Sequence, residues 1–301
     1  LGVGDSTKYR NSQVIYFPAG IYLCTDTIAT PLKAGVILIG EEKTTTVLRL
    51  TNSAAGFGNP SAPKYFLTAL DKPGKEGSNC KMFCSLEDMT IEIGTGNAGA
   101  IGLDWISNNV GHVIGVTIRS LDGGGVTGLR VERELGGCAL MRDIRIEGFD
   151  YGIKADSHII GYLFEDLELV DQNKAGIVTG EKPLFIRRLT SSQSRTHDGK
   201  PIPVLHLNNS DTNVILTDSN LTNTAAVTAG PAISITAGEL LARNVTVSGY
   251  QHALDDKGQL VTNLETEYMT SSSITLFNGT PAETLQMPVQ DAPEIPWDTD
   301  F

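Results

Sequence analysis

The stretch LMRDIRIEG at residues 140–148 decides the fold, because copies of it recur along the chain. It reads as an apolar residue, two further residues, an Asp or Asn, and then an apolar–x–apolar strand. The first core residues of successive copies lie 27, 28, 23, 22, 30 and 26 residues apart. These core residues are Met89, Val116, Ile144, Leu167, Leu189, Ser219 and Val245.

A second phrase lies between these copies and keeps the same irregular period. It consists of a small residue, an aliphatic residue, one variable residue and usually another apolar residue, as in GLRV at 128–131 and GIKA at 152–155. Two independent phrases with one period indicate stacked repeats. The aliphatic positions are Leu103, Leu129, Ile153, Ile177, Leu205, Ile233 and Leu254.

This repeat predicts an all-β protein, a single-stranded right-handed parallel β-helix with coils of about 22–30 residues. The strands alternate with period 2, and no convincing amphipathic helix separates them, which disfavours a βα fold. We expect the β-helix to span residues 1–270. From residue 271 the chain is rich in Pro and carboxylates, which predicts an extended Pro-rich C-terminal arm or linker over 271–301.

The Asp or Asn of the first phrase has a structural interpretation. Both residue types tolerate the left-handed backbone conformation of a tight corner between two strands, and both hydrogen-bond along a stack. We therefore expect corners rather than catalytic groups at these positions. They are Asp88, Asp143, Asp166, Asp218 and Asn244.

Composition narrows the class of ligand. The formal net charge is −12, and no run of Lys or Arg is present, which argues against a nucleic-acid partner. No apolar run approaches the roughly 18 residues of a membrane span, so we expect no membrane partner. The four cysteines have no paired C-x-x-C spacing, and disulfides and free thiols both remain open.

Five stretches carry a family resemblance: VIYFPAGIYL at 14–23, the run GAIGLDW…GVTGL at 99–129, GFDYGI at 148–153, LTSSQS at 189–194 and LQMPVQDAPEIPWD at 285–298. Together they resemble the pectate-lyase-like superfamily, and more narrowly its glycoside hydrolase family 55-like branch. The resemblance implies a secreted, polysaccharide-degrading enzyme without a cofactor. Its implied reaction is hydrolysis of β-1,3-glucan, and this chain would be the first of two β-helices.

The same resemblance suggests residue roles. It implies that Gln172, in the VDQN turn, and Ser192, in LTSSQS, position the attacking water. The general acid would come from a second β-helix domain following residue 301. One feature departs from the family, whose members usually begin with a Gly-Asp segment and a helix before the VIYF strand.

The residues themselves suggest an alternative site. The variable position of the second phrase places Asp104, Arg130 and Lys154 on neighbouring coils as a charged ladder. A pectate or uronate lyase working by β-elimination would use Arg or Lys as the base, together with calcium. Otherwise the ladder is a set of surface salt bridges that contributes little stability.

A polar segment before one strand is a candidate for substrate binding. SQSRTHDGKP at 192–201 holds Arg195, His197 and Asp198 in a predicted loop, and His206 follows on the next strand. Loops on rigid scaffolds often carry functional residues, although a solvated loop and a packed histidine explain the same pattern. A non-catalytic carbohydrate-binding or structural β-helix is the third function that the sequence leaves open.

Overall fold

The computed structural model describes residues 13–30, 34–70, 81–137, 139–156, 161–181 and 183–270. The predicted arm over 271–301 lies outside these ranges, as do Cys80 and Cys138. Within them the chain forms strands and no α-helix. The strands are Gln13–Phe17 (β1), Gly20–Cys24 (β2), Ile28–Ala29 (β3), Val36–Gly40 (β4), Thr46–Leu50 (β5), Lys64–Thr68 (β6), Met82–Ile93 (β7), Ala100–Asp104 (β8), Asn108–Ser120 (β9), Thr127–Arg130 (β10), Ala139–Glu147 (β11), Tyr151–Ala155 (β12), Tyr162–Val170 (β13), Ala175–Thr179 (β14), Leu184–Gln193 (β15), Thr196–His197 (β16), Lys200–Pro201 (β17), Leu205–Asn223 (β18), Pro231–Ser248 (β19), His252–Asp256 (β20), Gln259–Val261 (β21) and Leu264–Met269 (β22).

The strands stack in parallel from coil to coil, and the fold is the predicted right-handed parallel β-helix. In the first phrase, Met89 pairs with Val116, Val116 with Ile144, and Ile144 with Leu167. In the second phrase the register is equally regular, with each aliphatic residue beside that of the next coil. It runs through Leu103, Leu129, Ile153, Ile177, Leu205, Ile233 and Leu254.

The aliphatic residues of both phrases fill one continuous core. Ile153, Ile177 and Leu205 are fully buried, and each contacts its equivalents above and below. The small residue before them leaves room for this packing. A Cβ on Gly128 would lie 2.4 Å from Cγ2 of Ile146, so a larger residue there would displace the core.

The predicted corners are confirmed. Asp88, Asp143, Asp166, Asp218 and Asn244 all have φ between 51° and 55°, in the left-handed region. Two of these corners also hydrogen-bond to each other along the stack, from Nδ2 of Asn244 to Oδ1 of Asp218 at 2.9 Å.

Different strand pairings mark the two ends of the stack. At the start, β1 and β2 pair in parallel with β4 and β5. At the end, β21 and β22 add antiparallel to β20 and β19. Antiparallel terminal strands end the parallel repeat and reduce edge-to-edge association. None of the described residues belongs to a helix that is long and apolar enough to cross a lipid bilayer.

Candidate functional site

Seven side chains form one column across the stacked strands of the second phrase. We call this column the ladder face. Its in-register members are Asp104, Arg130, Lys154, Val178, His206, Ser234 and Asp255. Strands β8, β10, β12, β14, β18, β19 and β20 hold these residues about 4.8 Å apart. The structure therefore brings the predicted ladder together, and burial decides which of its members can meet a ligand.

Asp104 lies in a buried ionic network. Its side chain is fully buried and accepts hydrogen bonds from Thr68 Oγ1 at 2.7 Å and from Arg133 Nη2 at 2.6 Å. Arg130 Nη1 donates to the other carboxylate oxygen at 3.2 Å and to Tyr65 Oη at 2.5 Å. The sequence pattern did not identify Arg133 or Tyr65 as members of this network.

This network corrects the lyase prediction for Asp104 and Arg130. The Arg130 side chain is only 8% exposed, so it offers little surface to a glycan. Burial alone would lower the pKa of its guanidinium, but Glu132 and Asp104 outweigh burial and raise that pKa. A general base must reach the substrate and be unprotonated, so that it can accept the substrate's proton, and Arg130 meets neither requirement.

Lys154 differs from these two residues, because it is partly exposed. Its Nζ lies 4.3 Å from the centroid of the Tyr151 ring, and Nζ of Lys174 lies 5.8 Å from the same centroid. Lys174 is paired with Asp150 at 2.8 Å, whereas Lys154 has no ion pair with any described residue. An aromatic ring flanked by two ammonium groups thus lies beside Lys154, at the first partly exposed position of the ladder face.

His206 lies two strands beyond Lys154 on the same face. It is partly exposed, and burial lowers the pKa of its imidazole. The ring is therefore neutral at pH 7 and presents both a hydrogen-bond donor and an acceptor. His206 thus lies on a strand, as its sequence position predicted, and its role in substrate binding stays a prediction.

The polar segment before β18 is a β-hairpin rather than the predicted loop. β16 and β17 pair antiparallel, and Asp198 and Gly199 both have positive φ, 48° and 70°. Two such residues form a type I′ turn, for which Asp-Gly is a strong sequence signal. The side chains of His197 and Asp198 are exposed, with Nε2 and Oδ2 3.6 Å apart.

Arg195 is placed differently from its two neighbours. Its Nη1 donates to Asn173 Oδ1 at 2.6 Å and faces the carbonyl oxygen of Gly123 at 3.5 Å. The guanidinium thus connects loops of three coils and is only partly exposed. These contacts favour a role for Arg195 in holding the loops in place over a direct contact with a substrate.

Gln172 lies inside the β-helix. Its side chain is fully buried, and Nε2 donates to the carbonyl oxygens of Val170 at 3.0 Å and Ile146 at 3.2 Å. Gln193 Nε2 donates to its Oε1 at 2.6 Å. An internal amide stack of this kind does not fit a side chain that orients a water beside a bound glycan.

Ser192 occupies the outer side of the same region. It is exposed on β15 and pairs with Val170 and Thr222 of the adjoining coils. The structure therefore places the side chain of Gln172 in the interior and that of Ser192 on the surface, so the two side chains do not share a site although their backbones adjoin. Water positioning by Ser192 stays a prediction.

The sequence and the fold were compared with those of known proteins. No curated protein sequence matches the chain. Among solved structures, a pectin methylesterase from carrot aligns with a TM-score of 0.51 at 12% identity, covering 80% of this chain and 75% of the other. This likeness shows a shared β-helix fold.

Two further structures align with lower scores. Geobacillus virus E2 ORF18 gives a TM-score of 0.35 at 12% identity, with 87% of this chain and 56% of the other covered. The A-module of the Azotobacter vinelandii mannuronan C-5 epimerase AlgE4 gives 0.34 at 12% identity, with 81% and 88% covered.

A sequence profile completes the comparison. The profile described as "Rhamnogalacturonase A/epimerase, pectate lyase-like" matches residues 5–196, which is more than half of the chain. This range contains the opening motif, the buried Asp104 network and the Tyr151–Lys154 cluster. The chain therefore belongs to the rhamnogalacturonase A/epimerase, pectate lyase-like family, a family of β-helix proteins named for polysaccharide-acting enzymes.

Proposed function

We propose that this chain is a domain of a polysaccharide-degrading enzyme, specifically a glycoside hydrolase that acts on β-1,3-glucan. Family membership supports the polysaccharide, and the net charge of −12 favours a neutral glycan over a polyanion. The observation that carries hydrolysis over elimination is the burial of Arg130. The guanidinium that the lyase prediction relied on is held in an ionic network.

The ladder face supplies the proposed glycan contacts. Tyr151 offers a ring on which a sugar can stack, and Lys154 donates to sugar hydroxyls beside it. Neutral His206 provides a further donor and acceptor two strands away. The hairpin with His197 and Asp198 precedes the strand of His206 in the chain, and the proposal includes these two residues as further substrate contacts.

The proposal assigns the chemistry to residues beyond this face. The proposal follows the resemblance to family 55 in expecting the general acid on a second β-helix following residue 301, and it keeps Ser192 as the candidate for positioning the water. Asp104 is no substitute for that acid, because Arg133 and Arg130 hold its carboxylate in place. The proposal includes secretion, a polysaccharide as the partner and no cofactor.

One observation favours a second candidate function. Lys154 has no carboxylate partner among the described residues, and a uronate carboxylate would supply one. The candidate is therefore a uronate lyase in which Lys154, rather than Arg130, removes the proton. Calcium belongs to this alternative alone. The described residues bring no three His, Cys, Asp or Glu side chains together as ligands, so no step is derived through calcium.

Substrate preference and two substitutions test the proposal. The full-length protein is incubated with laminarin or polygalacturonate, and reducing ends and unsaturated ends are followed together. We expect reducing ends from laminarin, and we expect Tyr151→Ala to raise KM by about tenfold through lost stacking. Lys257→Ala, in the exposed β20–β21 turn, is the control and should behave as wild type.

Each opposing outcome has a defined meaning. If the protein forms unsaturated ends from polygalacturonate and Lys154→Ala abolishes them, the proposed function would be that of a uronate lyase and not of a glycoside hydrolase. Retention of both glycans without turnover would indicate a non-catalytic binding domain and would overturn the proposal.

A further inference from the structure

A second polar groove lies away from the ladder face. It has a volume of about 460 Å³ and follows the corners between the two strand segments of each first-phrase coil. Asp143, Asp166 and Asp218 line it from β11, β13 and β18, so it crosses several stacked coils. Its volume falls within the range of pockets that hold small ligands.

One column of side chains forms the floor of this groove. We call it the corner column; it consists of Arg145, Glu168, Thr190 and Asn220, paired in register from coil to coil. Stacking places them about 4.8 Å apart, close to the length of one sugar unit in an extended glycan. A charged donor, a charged acceptor, a hydroxyl and an amide therefore follow one another along the groove.

The ions in the groove are already paired. Lys43 Nζ lies 2.8 Å from Asp143 Oδ1, and Arg145 contacts Glu168. Arg188 binds Asp166 through two nitrogen atoms, at 2.5 Å and 3.0 Å. The hydrogen bond from Arg188 also lowers the pKa of Asp166 and keeps that carboxylate ionised.

Such pairs suit hydroxyl groups better than a second charge. Each sugar hydroxyl both donates and accepts, so it can join a carboxylate and a guanidinium without separating them. An anionic chain would have to displace the carboxylates from their cations. Thr190 and Asn220 are exposed, and they add hydrogen-bonding groups without charge.

We infer that the corner groove is a second carbohydrate-binding site, and that it holds a neutral oligosaccharide along the corner column. It lies on the first-phrase strands, whereas the ladder face is built from the second-phrase strands. The groove would therefore hold one part of the polymer while the ladder face binds another part. The inference goes beyond the proposed function, because it requires binding and not turnover.

Calorimetric titration with laminarihexaose tests the inference on the full-length protein. Glu168→Ala and Asn220→Ala each remove one member of the corner column. Because Asn220 is exposed, we expect its substitution to have little effect on folding. We expect Glu168→Ala to weaken groove binding about tenfold, since it loses hydrogen bonds to a charged group, and Asn220→Ala to weaken it several-fold. Thr246→Ala is the matched control. Thr246 is the next residue of the column after Asn220 but lies outside the groove lining, so its variant should bind as wild type.

Three results would overturn the inference. These are unchanged titration curves for both groove variants, tighter binding of oligogalacturonate than of laminarihexaose in the groove, and loss of turnover of the short laminarihexaose, which needs no retention, together with binding. The last would make the groove part of the active site. Normal groove binding in a protein without hydrolytic activity would leave this site standing and refute only the proposed function.

Discussion

Asp104→Asn separates a structural role of the ladder from a catalytic one. Asp104 accepts hydrogen bonds from Thr68, Arg130 and Arg133, and both its side chain and that of Arg133 are fully buried. An amide has nearly the same shape but removes the negative charge that Arg133 and Arg130 contact. Breaking a buried ion pair in this way costs about 3–5 kcal/mol, a large part of the usual 5–15 kcal/mol stability of a domain.

Guanidinium-induced unfolding, followed by tryptophan fluorescence, measures this loss. Trp105 is 2% exposed and adjoins Asp104, so its emission reports on this part of the core. Asp255→Asn is the matched control on the same ladder, because Asp255 is partly exposed, and we expect it to lose less than about 1 kcal/mol. Wild-type stability of Asp104→Asn combined with abolished turnover would refute the reasoning, since Asp104 would then act on the substrate.

Three further predictions concern the interior and the corners. Gln172→Leu should lower the free energy of unfolding by about 1–3 kcal/mol, because buried carbonyl groups lose their donor, and guanidinium unfolding measures it. Gly115→Ala should lower the thermal midpoint and cost at least about 1–2 kcal/mol, since φ is +66° and the new Cβ would lie 2.4 Å from Asp88 Oδ1. Arg188 holds the pKa of Asp166 below the roughly 3.9 of an unfolded chain. The stabilisation from that pair is therefore complete above pH ~3.9 and is lost as the pH falls through the lower folded pKa. Asp166→Asn should flatten this acid limb of the stability curve by no more than about 1 kcal/mol, which unfolding at a series of pH values will show. A midpoint unchanged in Gln172→Leu or Gly115→Ala, or an acid limb unchanged in Asp166→Asn, would contradict the corresponding account.

The register of the β-helix was predictable from the sequence. The aliphatic residues of each phrase must meet their equivalents to bury a shared core, so their spacing fixes which residues pair. Ile153, Ile177 and Leu205 illustrate this, since the predicted alignment is the observed pairing. The corner aspartates were equally accessible to sequence reasoning, because few residues tolerate a positive φ.

The candidate site was only partly predictable. Period-2 alternation places Asp104 and Arg130 away from the core, but it does not reveal which side chains cover them. The covering side chains are Tyr65, which is distant in sequence but lies on the strand paired with that of Asp104, and Arg133, which lies outside any strand. The hairpin at Asp198 was missed although its Asp-Gly signal was present.

The most direct test of the central claim is a side-by-side assay of the full-length protein on laminarin and on polygalacturonate. Reducing-end release is followed together with the ultraviolet absorbance of unsaturated ends. The account predicts reducing ends from laminarin with no new absorbance on either glycan. Absorbance that grows on polygalacturonate, or no product from either glycan, would contradict it.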